Sequence, residues 1–125
     1  MPLNVLRVHH ANVRLPAASE QQTRDFYGRI LGLTPDPNFH VPTVFHWLAG
    51  EGTEVHMRYG PTPTMLKSGE VLPHHFALLV ENLEDAKRWL TDQGVEYWEA
   101  DVPDATHEIF IKDPAGNVIE LYAAH

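Results

Sequence analysis

The chain contains no cysteine. That excludes disulfide cross-links, a thiolate nucleophile and any zinc site built on cysteine sulfur. Basic residues are scarce: 9 lysines and arginines stand against 17 aspartates and glutamates, for a formal net charge of −8 with histidine neutral. They form no cluster, so neither nucleic acid nor an anionic membrane surface is an expected partner. Long apolar runs are missing as well. No stretch reaches the roughly 20 residues that cross a bilayer as a helix. The opening MPLNVLRV has no basic start leading into an apolar core, so no secretory leader is expected. With no cysteine and no leader, a cytoplasmic location is the expectation. Compact metal motifs such as HExxH are also absent.

What remains is an ordinary globular balance, 43% hydrophobic and 21% charged, over 125 residues. That length suits one domain, residues 1–125, with enough chain to bury a core. The one excess is histidine, nine in all.

The C-terminal stretch EIFIKDPAGNVIELY organises the rest. Two apolar-rich runs flank Asp113-Pro114-Ala115-Gly116-Asn117, whose proline presets φ and whose glycine and asparagine tolerate positive φ, so a β-hairpin is expected. In the second run Ile119 and Leu121 take one face and Val118, Glu120 and Tyr122 the other. Glu120 is thus an acid in a half-buried strand, costly unless paired, hydrogen-bonded or bound to a metal.

In chain order, a strand is expected over Leu3 to Leu15, with His10, Asn12 and Arg14 on its polar face. His9 shares the other face and either packs under the helix or sits at the strand end. Ser19, three residues before Gln22, has the spacing of a capping box. Phe26, Tyr27, Ile30 and Leu31 recur at helical spacing until Gly32. Leu33 to Phe39 reads as a connection or irregular edge, and Val41 to Leu48 as a strand. Gly50-Glu51-Gly52 turns the chain into a strand with Glu54, His56 and Arg58 on one face and Val55, Met57 and Tyr59 on the other. Residues about 60–73 form the expected linker. His74 to Val80 reads as a strand, Asn82 as a cap, Leu83, Ala86, Trp89 and Leu90 as a helical stripe ended by Gly94, and Val95 to Glu99 as a strand.

Strand, helix and three strands are therefore stated twice. His9-His10 opens one half and His74-His75 the other, and Val55-His56-Met57 repeats as Ile119-Glu120-Leu121. Two copies of one unit place His10, His56, His75 and Glu120 at equivalent positions. The expectation is an α+β fold of two βαβββ modules, about 3–60 and 74–123, whose mixed, curved sheets form a metal cleft. Three imidazoles and a carboxylate suit one divalent ion, with zinc, nickel, iron, manganese and cobalt undistinguished. His10, His75 and Glu120 alone make two histidines and a carboxylate with open positions. His56 is either a fourth ligand or an acid–base group beside the metal. Arg14 on the face of His10 suits an anionic substrate group or an ion pair. Phe110 shares a face with Glu108 and Lys112 and can wall a pocket. Phe45 and Trp47 share a face too, with core packing the default for a single aromatic. His40, His46, His107 and His125 take surface or rim positions by default.

These residues carry a resemblance. His10-Ala-Asn-Val-Arg14, Phe26-Tyr-Gly-Arg-Ile-Leu-Gly-Leu33, His75-Phe-Ala-Leu-Leu-Val-Glu-Asn82 and Asp113-Pro-Ala-Gly-Asn-Val-Ile-Glu-Leu121 resemble the vicinal-oxygen-chelate superfamily of glyoxalases, bleomycin- and fosfomycin-resistance proteins and extradiol dioxygenases. The resemblance implies metal ligands at His10, His75 and Glu120, with His56 where glyoxalase I has a carboxylate ligand. It matches Arg14 to a glyoxalase I arginine that grips a substrate carboxylate; by the faces they share, Asn12, Arg58 and Phe110 are further expected substrate contacts, and Glu120 and His56 the expected catalytic residues. It also implies a homodimer, with modules pairing between or within chains, and a small oxygen-rich substrate handled by a lyase or a dioxygenase. The alternative it carries is a binding or sequestering protein without turnover.

Overall fold

The computed structural model describes residues 4–37, 44–61, 75–99 and 107–123. The linker expected at about 60–73 lies outside the described residues beyond Pro61, as do His40, His74 and His125. The described residues form two sheets. The first runs β1 (His10–Leu15), β4 (Glu54–Tyr59), β3 (Val44–Leu48) and β2 (Thr34–Pro35) across its width. The second runs β5 (Phe76–Leu79), β7 (Val118–Tyr122) and β6 (Glu108–Lys112). In each, the opening strand lies parallel to the closing strand, which pairs antiparallel with its hairpin partner.

The repeat is thus visible in the pairing itself. The strand expected over Val95 to Glu99 reduces to one bridge, Trp98 with Phe110, at the place that β2 takes in the first sheet. Its short, half-exposed sequence makes two backbone bonds there, Trp98 N–H to Phe110 O at 3.0 Å and Phe110 N–H to Trp98 O at 2.9 Å. The first strand is also shorter than expected: residues 4–9 are exposed and outside any ladder, so β1 begins at His10.

Alternation decides which side of each sheet is covered. Val13, Leu15, Trp47, Val55 and Met57 turn inward from the first sheet, and Ile109, Ile111, Ile119 and Leu121 from the second. Phe26, Tyr27, Ile30 and Leu90 of the helical layer complete one buried cluster. The first helix, α1 (Glu20–Asp25), continues into a π-helical turn over Phe26–Ile30. This brings Gly28 against the Trp47 indole, where a Cβ would sit 3.2 Å from the ring. The expected capping box does not form, because the Ser19 hydroxyl donates back to the Pro16 carbonyl at 3.1 Å inside a short 3₁₀ turn. The second helix, α2 (Leu83–Asp92), is capped as expected, with Asn82 Oδ1 accepting from Asp85 N–H at 3.0 Å. Gly32 and Gly94 end their helices at φ +72°, which an L side chain resists.

The modules are joined by a buried polar seam. Tyr27 donates its hydroxyl to Asp113 Oδ2 at 2.9 Å, and both residues are buried. Asn117 gives its backbone N–H to Asp113 Oδ1 and its side-chain amide both to Asp113 Oδ2 and to the Arg14 carbonyl, all at 2.8 Å. Burial pushes the Asp113 carboxyl up, and the bonds from Asn117 and Tyr27 oppose that shift. Trp89 Nε1–H to the Ile30 carbonyl at 2.9 Å adds a second tie. Tyr27→Phe removes one bond to a buried carboxylate without changing volume, so it is expected to destabilise the fold by about 2 kcal/mol. Urea unfolding measures this, and an unchanged midpoint contradicts the assignment of the seam.

Candidate metal and substrate site

The faces opposite the core carry the chemistry. On the first sheet the parallel register sets His10 beside Glu54, Asn12 beside His56 and Arg14 beside Arg58. The β3–β4 hairpin adds His46 directly across from His56. Phe45 and Trp47 are on the other side. Trp47 is buried with its indole N–H on the Met57 sulfur at 2.7 Å, and Phe45 lies under the Arg24 guanidinium. They belong to the core side of the sheet rather than to the polar face.

The result is a stack of imidazoles. His56 lies between His10, at a centroid distance of 3.8 Å, and His46, at 3.4 Å and nearly parallel. Glu54 closes the group, with Oε1 at 3.1 Å from His56 Nε2 and 3.7 Å from His46 Nδ1, and Oε2 at 3.5 Å from His9 Nε2. His9 stands at the strand end, not under the helix, and its Nδ1 is 3.0 Å from His10 Nδ1. Burial, followed for His46 by the neighbouring His56 charge, pushes both His46 and His56 below the usual imidazole range. Their ring nitrogens are therefore neutral and able to act as metal donors near pH 7. His46 is half-buried in this group, not at the rim, because the hairpin register leaves it no other place.

The second sheet presents a smaller set. His75 Nε2 lies 3.5 Å from Glu120 Oε1. Burial pushes the Glu120 carboxyl up to about 7, assisted by a hydrogen bond and like charge from Glu108. Phe110 faces this pair, edge-on to His75 at 5.4 Å and stacked on Trp98 at 5.9 Å, so two aromatics wall it from one side. His107 is exposed, its ring 6.5 Å from Tyr122.

The four residues expected to share one ion thus fall into two pairs, His10 with His56 and His75 with Glu120. Two groups of three metal-type side chains converge among the described residues, His9–His10–His56 and His46–Glu54–His56, and both lie on the first sheet. Imidazole and carboxylate donors fit a borderline divalent ion of the zinc, nickel, iron, manganese or cobalt kind. Arg14 and Arg58 are exposed neighbours on the same face, two strand positions beyond Asn12 and His56. No described acid pairs with either guanidinium, and no described helix is long and apolar enough to cross a membrane.

Sequence reasoning passed over Glu54, Glu108 and His46. Glu54 and Glu108 sit two residues from His56 and Phe110 on faces already marked polar, so alternation alone could have enrolled them. His46 was readable from the turn, since it and His56 are equidistant from Glu51.

Comparison with known proteins bears on this arrangement. A model of the family described as Glyoxalase/Bleomycin resistance protein/Dioxygenase superfamily matches residues 7–121. Among solved structures the chain is similar to a glyoxalase family protein from Bacillus anthracis, at 23% identity over 98% of both chains with a TM-score of 0.81. It is similar to a lactoylglutathione lyase from Agrobacterium tumefaciens, at 15% identity over 99% of this chain and 96% of that one, TM-score 0.71. It is also similar to the antibiotic-binding protein TnmS3 from Streptomyces, at 18% identity over 97% of this chain and 98% of that one, TM-score 0.71. At such identities the likeness establishes the fold. Curated protein sequences give no match.

Proposed function

Because the chain belongs to the Glyoxalase/Bleomycin resistance protein/Dioxygenase superfamily, we propose that it is a divalent-metal-dependent enzyme acting on a small, oxygen-rich, anionic substrate. The observation that carries this reading is the pair of half-sets at equivalent strand positions, His10 on the first sheet and His75 with Glu120 on the second. We assign His10, His75 and Glu120 as the ligands, completed where the first sheet of one chain meets the second sheet of another in a homodimer. The exposed Val5, Leu6 and Val8 beside β1, and Leu79 on the edge strand β5, supply apolar surface for that pairing.

When bound, the ion supplies Lewis-acid stabilisation to an oxyanion on a substrate with two adjacent oxygens. The chain's own residues do the rest. Arg14 and Arg58 hold the substrate's carboxylate or phosphate, with Asn12 beside them as a neutral donor. Phe110 and Trp98 keep water off the Glu120 side. Glu108 lies on the same face as Glu120, with a carboxyl placed to accept or return a substrate proton beside the ion.

Protein loaded in turn with zinc, nickel, iron(II), manganese and cobalt is offered hemithioacetals, 2-oxo aldehydes and catechols. Product formation and oxygen uptake are followed, and light scattering gives the assembly mass. Turnover with at least one metal and a mass twice that of one chain are expected. Arg14→Ala with Arg58→Ala should raise KM for an anionic substrate about tenfold or more and spare a neutral analogue. Binding of candidates without any turnover moves the protein to the sequestering class, and a monomer contradicts the paired centre.

A further inference from the structure

The geometry points to a second metal site that needs no partner chain: we propose that His46, Glu54 and His56 of the first sheet bind their own divalent transition-metal ion. This goes beyond the paired centre and assigns His56 here rather than there.

The three donors come from one hairpin. Ala49 N–H to Thr53 O at 2.8 Å and Thr53 N–H to Gly50 O at 2.9 Å close the turn and fix the ladder. That ladder sets His46 across from His56, and strand alternation puts Glu54 on the same face. Their ligand atoms all lie within 4.8 Å of one another. In a tetrahedral site with metal–ligand bonds of about 2.0–2.1 Å, donor atoms stand about 3.3 Å apart. The separations around Glu54 Oε1 are 3.1 Å to His56 Nε2 and 3.7 Å to His46 Nδ1, on either side of that value. The His46 and His56 rings lie nearly parallel at a centroid distance of 3.4 Å, so one ring must rotate for both lone pairs to meet a common ion, while the hairpin backbone stays as it is.

Burial and support favour the same reading. His56 is 8% exposed, and its ring lies between the rings of His10 and His46. The other oxygen of Glu54 has His9 Nε2 at 3.5 Å, so His9 is placed to orient the carboxylate. Two imidazoles and a carboxylate favour nickel, copper and zinc over manganese or magnesium. Neither His75 nor Glu120 takes part.

The test uses the full-length protein and zinc, with nickel as a second probe, in equilibrium dialysis read by elemental analysis. The His75→Ala/Glu120→Gln protein, which lacks the paired centre, should still bind one zinc per chain. Adding His46→Gln and Glu54→Gln, which preserve size and hydrogen bonding, should abolish that zinc while circular dichroism stays native. Cobalt loaded into the His75→Ala/Glu120→Gln protein should give the visible absorption of a four-coordinate ion. A His75→Ala/Glu120→Gln protein that binds no metal overturns the proposal. So does zinc retained after His46 and Glu54 are changed. If the wild type and the His75→Ala/Glu120→Gln protein bind the same single zinc, and the hairpin substitutions remove it, this site stands and the paired centre falls.

Discussion

Glu120→Gln is expected to lower the metal content by one ion per chain and to reduce turnover below detection. Among the three ligands assigned to the paired centre, Glu120 supplies the only formal negative charge, and an amide oxygen is a weaker donor to a divalent ion than a carboxylate. The substitution keeps size and strand propensity nearly constant, and the residue lies on the face opposite Ile119 and Leu121, so the fold should persist. Elemental analysis after dialysis, paired with the substrate panel, provides the reading. Full metal content in this variant removes Glu120 from the ligand set. Full metal with lost turnover makes it an acid–base group instead.

The second large effect is on stability against pH, in protein stripped of metal. Glu120 is pushed up in the fold from its ordinary 4.5 to about 7, chiefly by burial, then by Glu108. The folded chain therefore keeps a proton that the unfolded chain has already released between those values. The sign follows: the contribution is fully present below pH 4.5, falls as pH rises to about 7, and is level above it. A shift of that size corresponds to at most about 3 kcal/mol, less where water reaches the site. His46 and His56, held low by burial, tilt the curve the other way as pH falls below 6.5. The informative quantity is thus the difference between wild type and Glu120→Gln in urea unfolding from pH 4 to 8. A difference that does not change across this range contradicts the raised Glu120.

Much of the fold is legible in the residues alone. The DPAGN hairpin, the Asn82 cap, the glycine stops and the two-fold statement of strand, helix and strands all rest on local signals, whether turn chemistry, period or repeat, and local signals survive folding. The facing of His10, His56, His75 and Glu120 is equally legible, because a strand's period of two admits only two answers. What fails has two kinds of cause, a competing local bond and missing partners. Ser19 has the spacing of a capping box, but in the 3₁₀ turn over Ala17–Ser19 its hydroxyl donates to the Pro16 carbonyl instead. Val95 to Glu99 has strand composition but, among the described residues, pairs only through the Trp98 bridge to Phe110. Grouping also needs register: strand alternation says that His46 and His56 each lie on a face, and only the hairpin count puts their rings in contact.

The Tyr27–Asp113–Asn117 seam has a consequence for how two chains would fill with metal. It clamps the two sheets of one chain together, so His10 and the His75–Glu120 pair are carried at a fixed spacing. In the proposed homodimer the first ion to bridge two chains prepays the translational and rotational cost of bringing the other pair of half-sets together. The second ion then meets donors at a high effective concentration, set by the rigid frame and not by protein in solution. Loading of the paired centres becomes steep in both metal and chain concentration, and dilution empties both together.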